Sequence, residues 1–280
     1  MVKTVLITGA SSGIGEETAK ALLAAGYNVY AGARRIERMQ SLKAAGAHLL
    51  ALDVTDEQSM TEAVKTILKE TGRIDVLVNN AGYGSYGALE DVPLEEARRQ
   101  FDVNVFGLAR LTQLVLPAMR AQHSGRIVNI SSVGGKLGEP FGSWYHATKY
   151  AVEGLSDSLR MELHPFAGID VVVIQPGAVR TEWDGIAADG LLKYSGDGAY
   201  REGAHEYAKM MKANYKGSLP SPPSVIAKTI LKAVQVSKPK TRYATGGGAK
   251  MVLLMRKVLS DRAYDAMMRM FARQTAKVGK

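Results

Sequence analysis

The chain contains no cysteine. Disulfide frameworks, thiolate zinc centres and iron–sulfur clusters are therefore excluded, and nothing ties the protein to an oxidising compartment. No run approaches the roughly 18 consecutive apolar residues that a spanning helix needs. The opening Met1-Val2-Lys3-Thr4-Val5-Leu6-Ile7-Thr8 reaches glycine too early to hold a signal-peptide apolar region and a cleavage site. These absences predict a cytoplasmic protein that spans no membrane.

Acidic residues are scarce in one place. Residues 225–280 carry 13 basic and 2 acidic side chains, a net of +11, whereas residues 1–224 carry 23 basic and 25 acidic. The formal charge of +9 is thus a property of the last 56 residues, and any basic-surface function belongs to that tail alone. The nearly neutral body argues against nucleic acid as a partner. Disorder is excluded by 46% apolar content, enough for one buried core in a chain of 280 residues.

β-branched runs alternate with helical patterns through the first 180 residues, at 4–7, 28–31, 48–52, 75–78, 126–130 and 169–174. Between them apolar residues recur at helical spacing, as in Ala19, Leu22 and Leu23 or Met60, Val64, Ile67 and Leu68, with Asp56 and Asp91 placed as N-terminal caps. This alternation predicts an α/β fold, a three-layer, doubly wound parallel sheet with helices on both faces. No repeat or linker divides it, so residues 1–280 are expected to form one Rossmann-type domain. The strand signal stops at Trp183. Residues 182–223 read as a lid with a short helical pattern at 204–211, followed by a helix at 224–236, a strand at 241–244 and Met-rich helices at 248–280.

The first strand runs into Thr8-Gly9-Ala10-Ser11-Ser12-Gly13-Ile14-Gly15 and then a helix. Glycines here allow positive φ and close approach to a pyrophosphate, while the helix start offers free N–H groups and partial positive charge. The strand before and the helix after make this a dinucleotide site in outline. An NAD site would place an acid after the second strand to meet the ribose 2′-hydroxyl, and this chain has Gly32-Ala33-Arg34-Arg35 instead. Two guanidinium groups suit a 2′-phosphate, so NADP(H) is preferred and NAD(H) is the second choice. Arg38 reads as part of a solvated helix face.

Tyr145 and Lys149 stand four apart at the start of a helical pattern reaching residue 166. They share a helix face, and an ammonium there favours ionisation of the phenol, giving a general acid–base usable near neutral pH. The strand at 126–130 ends in Ser131-Ser132, and strand ends of an open parallel sheet border the ligand crevice. Spacing to the tyrosine favours Ser132, because alternate side chains at a strand end face opposite ways. His146 lies about 100° round the helix from Tyr145 and reads as a packing or interface residue. His48, His123, His164 and His205 have no metal-ligand spacing, and no catalytic metal is expected.

Across about 180 residues these motifs resemble the classical short-chain dehydrogenase/reductase (SDR) family. Thr8 to Gly15 matches its Thr-Gly-x-x-x-Gly-x-Gly loop; Asp53, followed by Val54, matches the acid that meets the adenine; Asn79-Asn80-Ala81-Gly82 matches the stretch supporting the central sheet beside the cofactor. Asn104, Ser132, Tyr145 and Lys149 fall on its catalytic tetrad, and Pro176-Gly177 with Val179 and Thr181 on the segment that holds the nicotinamide carboxamide. The resemblance implies that Ser132 holds the substrate oxygen, Tyr145 exchanges the proton, Lys149 lowers the tyrosine pKa and binds ribose, and Asn104 holds a water linking Lys149 to solvent. Ser12 stands where many NADP-preferring relatives carry a basic residue, which leaves Arg34 as the main cofactor signal.

Length and lid look like the hydroxysteroid and retinol dehydrogenase group. Trp183, Ile186, Leu191, Leu192, Tyr194, Tyr200, Tyr207 and Met210 are expected to form an apolar wall for a hydrophobic alcohol or carbonyl substrate, such as a steroid, retinoid or lipid-derived molecule. The alternative is an NADP-binding regulatory or redox-sensing protein on the same fold, against which the complete tetrad argues. A sugar-nucleotide epimerase or dehydratase would show Gly-x-x-Gly-x-x-Gly, which Gly9, Gly13 and Gly15 do not match. The resemblance also implies a homodimer or homotetramer, paired through the helices carrying Asn104 and Tyr145. In the tail, Met251, Leu254, Met255, Val258 and Leu259 form one stripe, and Tyr264, Met267, Met268 and Phe271 a second, with Arg262, Arg269 and Arg273 on another face. Helices docked on the domain are expected; peripheral membrane contact is the alternative.

Overall fold

A computed structural model describes the backbone of residues 2–278, and their side chains apart from 184, 214–216 and 271–278. Phe271 and Arg273 of the tail stripes therefore lie outside the described side chains. The elements follow in the order β1 (Thr4–Thr8), α1 (Gly13–Ala24), β2 (Asn28–Ala33), α2 (Gln40–Ala44), β3 (His48–Ala51), α3 (Glu57–Thr71) and β4 (Val76–Asn79). Next come α4 (Leu94–Phe101), α5 (Gly107–Ala121), β5 (Gly125–Ile130), α6 (Ser143–Glu162) and β6 (Ile169–Pro176). The chain ends with α7 (Trp183–Ser195), α8 (Arg201–Lys216), α9 (Pro223–Gln235), β7 (Arg242–Thr245), α10 (Ala249–Val258) and α11 (Asp261–Val278).

The strands form one 7-stranded parallel sheet in the order β3-β2-β1-β4-β5-β6-β7. The period of two along each strand divides the core. Val5 and Ile7 of β1 pack with Ala19 and Leu22 of α1 and Ile226 and Ile230 of α9, whereas Leu6 packs with Val64 and Ile67 of α3 and Leu111 and Val115 of α5. Burial on both faces accounts for the almost continuous apolar strands, as expected for the Rossmann-like fold. The order reverses between β1 and β4, so their C-terminal ends open a crevice.

Local chemistry sets most boundaries. The Asp56 carboxylate caps α3 by accepting from the Ser59 amide at 2.6 Å, and Gly72, at φ 71, ends that helix. Asp91 does not cap α4, contrary to expectation. Its amide closes a turn onto the Ala88 carbonyl at 3.0 Å, and Pro93 occupies the cap, where a missing N–H costs little. Between α4 and α5 the helix passes without a break through a π-turn at Asp102–Phe106.

Residues 182–223, expected as a lid, are more helical than the sequence indicates. α7 lacks a strong amphipathic pattern because glycines and alanines fill it, yet Ala187, Ala188 and Leu191 are buried against Tyr86, Tyr145 and the α8 residues Ala204, Tyr207 and Ala208. Tertiary packing decides that helix. The tail docks on the body: α10 lies against β7 and the turn at 133–135, and α11 against α8. No helix among the described residues is long and apolar enough to cross a membrane.

Candidate active site

The crevice is built first by glycine. Gly9 and Gly13 have φ of 67° and 58°, a region that L side chains rarely adopt. A Cβ on Gly15 would overlap the Gly9 carbonyl oxygen and come within 2.6 Å of Asn80 Nδ2. The loop is thus pressed against its support, and Asn80 Nδ2 donates to the carbonyls of Thr8 at 2.9 Å and Gly9 at 3.2 Å. Thr8 Oγ1 accepts from the amides of Asn80 and Ala81 at 3.1 and 2.9 Å. Ser12 stands at the N-cap of α1 without a capping hydrogen bond from its side chain, so the helix start keeps N–H groups for an anion. Ile14 faces the core, leaving its backbone to the crevice.

Arg34 and Arg35 are exposed beyond the end of β2, and Arg35 Nη2 reaches Ser11 Oγ at 3.4 Å. Arg38 is not simply solvated as expected. Its guanidinium donates to both carboxylate oxygens of Glu182, at 3.3 and 2.8 Å, because the start of the lid folds back beside the glycine loop. That pairing, aided by the charge of Arg35, holds the Glu182 carboxyl below its usual pKa. Thr181 occupies the same side of the crevice, its Cγ2 lying 3.2 Å from the position a Gly13 Cβ would take. Asp53 Oδ1 closes a turn onto the amide and hydroxyl of Thr55 at 2.9 and 2.7 Å, and the buried Val54 packs against Gly107 of α5. After β6, Gly177 sits tightly against the Gly247 carbonyl, Val179 bridges to Ser221, and Pro176 is the last residue of the strand.

The second group lies at the ends of β4 and β5. Lys149 is buried, donates from Nζ to the Ile130 carbonyl at 2.9 Å, and lies 5.9 Å from the Tyr145 ring centroid. Burial pulls its pKa down to about 8, and the charge of Glu153 one turn along α6 opposes that fall. Ser132 Oγ accepts from the Gly134 amide at 3.0 Å. A Cβ on Gly134 would lie 3.3 Å from Tyr145, so the serine and the tyrosine border the same glycine. Ser131 points the other way: its hydroxyl is buried without a hydrogen-bond partner among the described residues and lies 2.8 Å from the position of a Gly135 Cβ. Gly82 brings the third side chain in, since its Cβ would sit 3.0 Å from Asn104 Oδ1 and 3.8 Å from Lys149 Nζ.

Several residues that hold the site in place, Tyr83, Thr148, Glu153, Gln175 and Arg242, carry no recognisable sequence signal. Asn104 is held by the main chain of Tyr83, accepting its N–H at 3.0 Å and donating to its carbonyl at 2.8 Å, and by Thr148 Oγ1 at 3.1 Å. Both ring nitrogens of His146 are engaged: Nε2 accepts from the Glu139 amide at 3.1 Å, and Nδ1 meets the Gly134 carbonyl at 3.0 Å. The histidine therefore braces the loop between β5 and α6 as the neutral Nδ1–H tautomer. Under Lys149 the buried Glu153 carboxylate is bound by Gln175 at 3.0 Å, Arg242 at 2.8 Å and Lys136 at 3.2 Å. Only the folded sheet brings these residues together.

The segment after β6 meets the tyrosine directly through Trp183. The Trp183 and Tyr86 rings lie 5.1 and 5.9 Å from that of Tyr145, which is 8% exposed. Of the expected apolar wall, Trp183 borders the site, Leu191 and Tyr207 are buried in the core of the lid, and Ile186 and Tyr200 face outward. Among the described residues no group of three or more His, Asp or Glu could hold a metal ion.

Similarity to known proteins follows the same outline. The family model for short chain dehydrogenase matches residues 3–189. A probable short-chain type dehydrogenase/reductase of Helicobacter pylori is 34% identical over 265 residues, spanning 95% of this chain and 96% of that protein. A 3-ketodihydrosphingosine reductase of Bacteroides thetaiotaomicron is 45% identical over 177 residues, 63% of this chain and 64% of that one. An NADPH-dependent 3-dehydrocapnine reductase of Ornithobacterium rhinotracheale is 34% identical over 273 residues, 94% and 95% of the two chains. Among solved structures, a short-chain dehydrogenase from Streptomyces avermitilis superposes with a TM-score of 0.81 at 38% identity, covering 98% of this chain and 99% of that one. An alcohol dehydrogenase from Thermococcus sibiricus complexed with 5-hydroxy-NADP gives 0.70 at 27% identity, covering 87% and 95%. With its fold, glycine loop and family match in agreement, the chain belongs to the short chain dehydrogenase family of oxidoreductases.

Proposed function

We propose that the protein is an NADP(H)-dependent oxidoreductase interconverting a hydrophobic alcohol and its ketone or aldehyde, with Tyr145 as general acid–base. The observation that carries this reading is the convergence of Tyr145, Lys149, Ser132 and Asn104 beside the glycine loop. The loop geometry fits a dinucleotide: Gly9, Gly13 and Gly15 let the loop press closely against Asn80, Ala81 and Thr181, which leaves the uncapped start of α1 for a pyrophosphate, with Arg34, Arg35 and Ser11 placed for a 2′-phosphate. When bound, the nicotinamide supplies or takes the hydride. Ser132 orients the substrate oxygen, and the Tyr145 hydroxyl gives that oxygen a proton in reduction or removes it in oxidation. Lys149, as an ammonium, favours the phenolate and is positioned for ribose hydroxyls. The Asn104 side chain is committed to Tyr83 and Thr148, so its part in a relay falls to its main chain in the π-turn.

A lipid-derived ketone suits the site best, supported by the aromatic surroundings of Tyr145 and by two relatives named as reductases of 3-ketodihydrosphingosine and 3-dehydrocapnine. The reading places this chemistry on one domain with residues 182–223 as substrate lid, in the cytoplasm, with peripheral membrane contact through the basic C-terminal helices. Homodimers or homotetramers would form through the helices carrying Asn104 and Tyr145, where Phe106 and Tyr150 are exposed. The test is NADPH oxidation against a panel of ketones and aldehydes that includes 3-ketodihydrosphingosine. Stoichiometric product formation is expected; tight NADPH binding with no turnover would favour the regulatory reading.

The cofactor preference has its own test. Arg34→Asp should reduce the ratio of NADPH to NADH efficiency about ten- to a hundredfold, since one charge-assisted contact contributes about 1.5–3 kcal/mol. An unchanged ratio would remove Arg34 from the site. A second test concerns proton supply. Reduction with Tyr145 as acid needs Lys149 charged, and that charge is lost with rising pH, so kcat/KM for the ketone should fall above about pH 8. Glu153→Gln withdraws the charge that supports the Lys149 proton, so the fall should begin about half to one pH unit lower. A profile that does not move would limit Glu153 to a structural part.

A further inference from the structure

We infer that the outer face of α10, with the lysine-lined groove beside it at the β7 edge, docks on an anionic lipid bilayer. This deepens the membrane contact in the reading above, but its geometry involves none of the reacting groups. A short helix docked on a globular body ordinarily turns apolar residues inward. Ala249 and Val252 of α10 follow that rule, and Arg256 folds back onto Asp261 at 2.6 Å and over the Tyr264 ring. The opposite pole breaks it: Met251, Leu254 and Val258, at positions i, i+3 and i+7, are 64%, 58% and 68% exposed. Leu219, 58% exposed, extends the patch from the loop before α9, its Cδ1 lying 3.7 Å from the position of a Gly248 Cβ. An outward apolar stripe on a docked helix marks an interaction surface.

The surrounding charge identifies its partner. Lys250 and Lys257, seven apart, flank the stripe on one side. Lys250 and Met251 also line a groove of about 710 Å³ between the end of α9, β7 and the start of α10. Lys232, Lys238 and Lys240 face the same groove, and no acidic side chain lines it among the described residues. Arg242 is already paired with Glu153 and Asp157, at 2.8 and 2.7 Å, so the free charge belongs to the lysines. None of these five lysines has an ion-pair partner among the described residues. Lysines at a sheet edge commonly discourage strand pairing, which accounts for Lys238 and Lys240 but not for the apolar stripe beside them. A second copy would bring lysines against lysines, and nucleic acid offers no apolar phase. An anionic bilayer satisfies both halves of the surface, since acyl chains accept the stripe while headgroups meet the lysines.

The full chain should co-sediment with phosphatidylcholine vesicles containing phosphatidylglycerol, and far less with phosphatidylcholine alone or at high salt. Two variants divide the surface: M251S/L254S/V258S removes the stripe, and K238E/K250E/K257E reverses the charge. Each should lower vesicle partitioning about tenfold or more while NADPH oxidation with a water-soluble ketone stays at the parent rate. The inference is overturned if the parent ignores phosphatidylglycerol, if both variants partition like the parent, or if the serine variant instead reduces the assembly mass by light scattering. Absence of turnover in every chain would refute the reductase reading and leave the vesicle result standing.

Discussion

Tyr145→Phe is expected to reduce turnover by about 10²- to 10⁴-fold, the usual contribution of a positioned general acid, while leaving NADPH binding measurable by fluorescence. The substitution removes one oxygen. The ring remains, and with it the packing against Trp183 and Tyr86. Stability should therefore change little, and a loss of rate can be assigned to proton transfer rather than to a collapsed pocket. Lys149 stays buried with its bond to the Ile130 carbonyl, so that part of the site is also preserved. Single-turnover reduction separates binding from chemistry. Residual turnover within about tenfold of the parent would mean that another group supplies the proton, and the assignment of Tyr145 would be withdrawn.

Gly15→Ala should have the other large effect, on cofactor binding. The added methyl would meet the Gly9 carbonyl and Asn80 Nδ2, two atoms that shape the phosphate loop and are themselves hydrogen-bonded to each other. Neither can retreat cheaply, because Asn80 also holds the Thr8 carbonyl and Gly9 stands within 2.9 Å of Ala81 Cα if given a Cβ. Overpacking of this kind costs about 1–3 kcal/mol, a fall in Tm of several degrees in a chain of this size. Displacing the α1 N–H groups from the pyrophosphate should weaken NADPH about ten- to a hundredfold more. Titration of NADPH fluorescence and a thermal melt measure the two parts separately. Gly26→Ala serves as the comparison: Gly26 has open space around it but φ of 81°, so it should lower Tm slightly and leave NADPH affinity alone.

Local patterns carried much of the architecture. Short β-branched runs became β1 to β6, and the cap at Asp56 formed where an acid precedes a helical stripe. Asp91 shows the limit of such reasoning. An acid in the right place caps a helix only if the chain turns there, and Pro93 moved the start of α4 by two residues. α7 marks another limit, because small residues give no amphipathic signal until a partner surface exists.

The glycine loop, the paired arginines and the Tyr145–Lys149 spacing are covalent or helical facts, legible at short range because a strand, a turn or one helix face is enough to place them. The preference for Ser132 over Ser131 is a pattern argument; in the sheet one hydroxyl lies beneath Gly135 and the other beside Gly134 and Tyr145. Other features depend on residues far apart in sequence. Glu153 acquires Arg242 across 89 positions, Arg38 acquires Glu182 across 144, and Asn104 is oriented by Tyr83 across 21. The excess of positive charge was visible at once as a property of the last 56 residues. Which of those lysines are free, and that an apolar stripe faces outward among them, was decided only by the tertiary structure, since a helix acquires an inside and an outside from the surface on which it docks.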